Sequence, residues 1–189
     1  MRQSAANKIS AELAKIGTIA SIAAGLILVC YAGEGSPAYG AAEVKPVAGI
    51  RCDYEEYSSF HIHAHLDIFV DGKPYAIPQG VGIMPSQKCL YWVHTHDPSG
   101  IIHVESPEAR SFTLGQFFEI WKATAPGVPA VKQKPKVFVN GKRASVEWEQ
   151  VEITDLTEIA VIYGQEPPQV PSYYVFPLEY RKGPYRKPG

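Results

Sequence analysis

The amino-acid sequence predicts an α+β domain: a mostly antiparallel or mixed β-sheet built from hairpins, with one main helix over residues 114–124. Three observations carry this. Several short runs alternate apolar and polar residues at period two. Asp-Gly and Asn-Gly dipeptides stand inside such runs, and a single later stretch shows helical spacing behind a capping signal.

Ahead of the domain, Arg2, Lys8 and Lys15 flank an uncharged apolar run over 16–32, and small residues follow up to Ala42. This is the order of a secretory signal peptide over residues 1–42, with cleavage after Gly40 or Ala42. The rival reading is an N-terminal membrane anchor, since a run of this length sits at the lower edge of a bilayer span. Either way the positive flank stays inside, and the rest is exported to a periplasmic or extracellular compartment. Cys30 belongs to the apolar run, because Val29 stands before it where a lipid-modified cysteine wants a small residue.

Residues 43–164 form a single globular domain on this reading. In the run 61–70, Ile62, Ala64, Leu66, Ile68 and Val70 share one face, and His61, His63, His65 and Asp67 share the other. Asp71-Gly72 is a tight hairpin turn that returns the chain through 73–77. A second strand over 90–96 reaches Asp97-Pro98-Ser99-Gly100, which places Asp, Pro and Gly at the positions a type I turn favours. Its return strand is 101–105. Thr113 with Gln116 makes a capping box, and Leu114, Phe117, Phe118 and Trp121 follow at helical spacing until Pro126-Gly127. A further hairpin turns at Asn140-Gly141, and a last strand covers 158–163. Residues 165–189 hold Pro167, Pro168, Pro171, Pro177, Pro184 and Pro188, so they run as an extended tail with a basic end.

Lys and Arg number 18 against 19 Asp and Glu, a near-neutral balance that argues against a nucleic-acid partner. In an exported domain Cys52 and Cys89 read as a disulfide, the alternative being two separate buried thiols. Such a bridge would stabilise by roughly 4 kcal/mol on the chain-entropy account.

The informative residue is histidine. All six, His61, His63, His65, His94, His96 and His103, fall in one window of the chain. Strand parity puts the first three in one row. Closing the turn with Asp97 opposite Gly100 pairs His94 with His103, so that His94, His96 and His103 share a face with Glu105 one step along it. Neutral imidazole is the commonest metal ligand, and three or four such nitrogens make a first shell for zinc or copper. All six histidines are therefore candidate ligands of a divalent transition metal. Asp67, Thr95 and Asp97 are candidates to orient the rings, and Glu105 is a ligand or a general base. A blue-copper site fails because no methionine follows His96 closely.

The segments FHIHAHLDIFVDG, CLYWVHTHDPSGIIHVESP and FTLGQFFEIW, carrying the motifs HxHAHL, CxYWxHTHD and GIIHxE, resemble an uncharacterised family of exported bacterial and archaeal proteins. The resemblance covers most of the chain after residue 42 and implies that the histidines and both cysteines belong to the pattern. Relatives often carry a further histidine near Asp155 to Ile159, which this chain lacks. From the helix onward, VFVNGK and ITDLTEIAVIYG are similar to transcobalamin-like β-grasp domains.

The sequence thus points first to an exported metal-binding protein, copper or zinc, serving storage, delivery or tolerance. A metalloenzyme is the alternative, with a histidine-held ion activating water on a small substrate and Glu105 as base. In ligand spacing only, HxH plus a histidine on the next strand resembles α-class carbonic anhydrases. Two other readings stand beside these: an accessory subunit of a larger complex, and a histidine-based pH sensor.

Overall fold

Strand β2 (Phe60–Val70) is the spine of the molecule, and its two faces are both covered. Its apolar side chains alternate inward as the sequence predicts, with Ala64, Leu66 and Ile68 at most 2% exposed. The histidine side is unusual for a polar face, because His63 and His65 are buried as well. A computed structural model describes residues 44–182. The signal or anchor expected over 1–42 and the end of the basic tail lie outside them. Among the described residues no helix is long and apolar enough to cross a membrane.

The remaining strands are β1 (Cys52–Asp53), β3 (Lys73–Tyr75), β4 (Ile83–Met84), β5 (Cys89–Tyr91), β6 (Val93–His94), β7 (Ile101–Ser106), β8 (Lys136–Val139), β9 (Lys142–Arg143) and β10 (Thr157–Tyr163). They make a large sheet in the order β6-β7-β2-β10-β8-β9, with β3 also paired to β2, and a small sheet β1-β5-β4. The α+β class is as expected. β10 runs parallel to β2 while the other pairings are antiparallel, so the large sheet is mixed. Nothing in this order establishes the β-grasp likeness.

Both predicted hairpins form. Val70 pairs with Lys73 and Val139 with Lys142, and both residues of each turn take positive φ, as that turn type requires. Helix α1 (Leu114–Thr124) carries the reciprocal capping box between Thr113 and Gln116. Leu114, Phe117, Phe118 and Trp121 anchor it in the core.

The strand expected over 90–96 is corrected in one respect. It breaks at Trp92, with β5 in the small sheet and β6 in the large one, and His96 lies past its end. Trp92 is held at this switch by its indole N–H donating to Asp53 Oδ2 at 2.8 Å, the carboxylate that also receives the Tyr57 hydroxyl. The disulfide Cys52–Cys89 forms and ties β1 to β5, so the lead-in segment is fixed to the chain entering the second histidine group. Such a bond fits an oxidising compartment. The tail has no regular secondary structure over 166–177, but the extended run expected from 165 onward is interrupted by a short 3-10 helix (Leu178–Lys182), and Phe176 is only 4% exposed.

Candidate metal centre

Three adjacent strands bring the histidines together. β7 is antiparallel to both β2 and β6, and the register sets His63 opposite His103 and His103 opposite His94. A row of three imidazoles therefore crosses neighbouring strands about 4.8 Å apart. The pairing of His94 with His103 follows the register that the Asp97–Gly100 turn implies. Gly100 makes that turn possible. Its φ is +88°, and a Cβ there would meet Leu66 O at 2.6 Å, so the turn lies flat on β2 only with glycine.

Three further residues complete the cluster. His61 pairs with Glu105 in register, and its Nε2 lies 3.0 Å from Glu105 Oε1. The same carboxylate oxygen is 3.8 Å from His103 Nδ1. His96, beyond the strand, turns its Nε2 to within 3.1 Å of His94 Nε2. Two donor groups result, His94, His96, His103 and Glu105, and His61, His63 and His103, the ligand atoms of each lying within 4.8 Å of one another. Donors bound 2.0–2.1 Å from a tetrahedral ion sit roughly 3.3 Å apart, so small side-chain rotations would close either group on a metal.

Protonation favours the same chemistry. Burial, reinforced for His63 by neighbouring His103 and His61, lowers His63 and His94 from the ordinary 6.5 to about 3. Burial also lowers His96. His63 and His94 are therefore neutral and nucleophilic at nitrogen well below neutral pH. His94 Nδ1–H donates to the Tyr91 carbonyl at 2.9 Å, which leaves the lone pair on Nε2, the atom that faces His96. Burial by itself pushes the Glu105 carboxyl up, but the polar contacts of His103 and His61 and the field of His94 outweigh it and hold it well below the carboxylate range. His63 Nε2, His103 Nδ1 and Glu105 Oε2 are buried without a hydrogen-bond partner, and His61 Nε2 has only its 3.0 Å contact with Glu105. Each unpartnered atom costs on the order of 1–3 kcal/mol, and a cation bound in its group would satisfy it.

His65 is the exception among the six. Its Nδ1 is 2.7 Å from Glu158 Oε2 and its Nε2 2.9 Å from the Ser99 carbonyl, so both ring nitrogens face acceptors. Burial works against a charge here, but Glu158, Asp67 and the Ser99 carbonyl outweigh it and raise His65. His65 thus clamps β2, β10 and the turn, and with Asp67 and Glu158 it forms a third donor group, the ligand atoms lying within 4.8 Å of one another. Asp67, 3.9 Å away, stands beside that clamp.

The structure shows other contacts for two more residues expected to orient the rings. Thr95 points away from the cluster, its hydroxyl donating to Pro78 O and accepting from Val81 N. Asp97 accepts from Ser99 N and holds the turn. The Tyr91 carbonyl does the orienting instead, a role invisible in sequence because it belongs to the backbone. Sequence reasoning also passed over Glu158, Tyr174 and Tyr180. Tyr174 stacks on His65 at 3.7 Å and 5°, and Tyr180 stacks on His63 at 4.2 Å. A buried glutamate in an otherwise apolar last strand was the available signal for Glu158.

A cavity of about 250 Å³ lined by Glu56, Tyr57, Ser58, His61 and Glu105 opens beside the cluster. No family model matches the chain, and no curated protein or solved structure matches it either.

Proposed function

We propose that this domain is an exported metal-binding protein that holds copper or zinc at the histidine cluster for storage, delivery or tolerance. The observation that carries the reading is the cross-strand row His63, His103 and His94, buried, with His63 and His94 held neutral, and flanked by donor atoms that lack partners. Nitrogen-rich donors of this kind suit copper and zinc and poorly suit calcium or magnesium, which take oxygen ligands. The family resemblance supports export and the histidine pattern, and the disulfide agrees with it.

The metalloenzyme reading has one observation in its favour, the cavity beside His61 and Glu105. Glu105 itself argues the other way. A carboxylate held far below its ordinary range is a good ligand and a weak general base, since efficient bases lie near the working pH. Binding is therefore preferred to water activation.

Elemental analysis of the protein purified from its own compartment, repeated on His63→Ala and His94→Ala, tests the proposal. The wild type should carry stoichiometric copper or zinc, and each variant should carry less. A wild type free of transition metal under metal-replete conditions would sink it.

A further inference from the structure

Six donors surround the cluster, more than a single four-coordinate ion can use. They divide unevenly in space. By mutual reach of their ligand atoms, His61 and His63 group with His103, and His94, His96 and Glu105 group with it separately, so only His103 belongs to both groups. The His103 ring stands between the two, with His63 at 4.7 Å and 86° and His96 at 4.4 Å and 85° between ring centroids. Both flanking rings stand nearly perpendicular to it. Unpartnered buried atoms stand in both groups, His63 Nε2 in one and Glu105 Oε2 in the other.

From this arrangement we infer that the cluster holds two transition-metal ions with the His103 ring shared between them, one ion on each nitrogen. This rests on the metal-binding reading and deepens it. When the second ion binds, the remaining N–H bond of His103 breaks, its proton leaves to solvent, and the freed lone pair forms the second metal–nitrogen bond. The first ion takes His61 and His63, and the second takes His94, His96 and Glu105.

The full chain, stripped of metal with a chelator, is titrated with copper(II), freed of excess by gel filtration, and assayed for copper content and electron paramagnetic resonance. Two copper ions per chain are expected, with a signal integrating well below the copper content because the shared ring couples the spins. His61→Ala and His94→Ala, confirmed as folded by circular dichroism, should each retain one ion and regain a full signal. One ion per wild-type chain overturns the two-ion site while leaving the metal-binding reading standing. No bound copper overturns both. Two ions with a full, uncoupled signal overturn the shared His103, as does either folded variant losing all its metal.

Discussion

Acid should unfold the metal-free domain through its own ligands. His63 and His94 are held to about 3 in the folded state, against an ordinary 6.5 that the unfolded chain recovers. Between these values the unfolded state binds a proton at each ring and the folded state does not, so stability falls as pH falls through that window and is unaffected by these two rings above it. Each ring contributes about 1.36 kcal/mol per pH unit once the unfolded ring is protonated. At pH 5 that amounts to roughly 2 kcal/mol per ring and about 4 kcal/mol for the pair. A loss of that size is a large share of the 5–15 kcal/mol typical of a domain. Depressed His96 adds to the loss, and Glu105, held low by its histidine contacts, adds more once the pH drops below 4.5. Raised His65 acts in the opposite sense, its contribution being complete below 6.5 and lost as pH rises above it. The assay is urea unfolding followed by tryptophan fluorescence, with chelator present, at half-unit steps from pH 7.5 to 4.5. His63→Leu isolates one ring, and should reduce the pH slope by about 1.4 kcal/mol per unit. Equal stability at pH 7 and pH 5, or a slope that His63→Leu leaves untouched, would refute the reasoning.

Zinc at a hundredfold excess over its dissociation constant should stabilise the neutral-pH protein by about 2.7 kcal/mol, read as a chelator-reversible rise in Tm that is reduced in His94→Ala. Replacing Cys52 and Cys89 with serine should cost about 4 kcal/mol on the chain-entropy account, and the urea midpoint of the variant should then no longer respond to reductant. Gly100→Ala puts a Cβ 2.6 Å from the Leu66 carbonyl at a φ of +88°, so a loss of roughly 2–4 kcal/mol in thermal unfolding is expected, together with weakened metal binding as His103 shifts. Glu158→Leu removes the buried partner of His65 and should lower the His65 pKa, visible in the NMR titration of that ring.

Much of this protein is decided locally and is therefore legible in the chain. Period-two alternation fixes which side chains of β2 share a face, because a strand has no other parity. Asp71-Gly72 and Asn140-Gly141 select their hairpins through positive φ, and the Thr113–Gln116 box starts the helix through nearby orphan N–H groups. The Asp97–Gly100 turn even carries the register that sets His94 against His103. What tertiary structure alone decided depends on surfaces far apart in the chain. The parallel pairing of β10 with β2 brings Glu158 to His65 across 93 residues, and that contact clamps the two strands through one of the six histidines. The break at Trp92 frees the Tyr91 carbonyl to orient His94, and the tail lays Tyr174 and Tyr180 over the imidazoles. No local pattern encodes these contacts, because each is chosen by how separate segments bury one another. The sequence by itself determined that histidines would face one another across strands. Packing decided which of them keep a free lone pair for a metal.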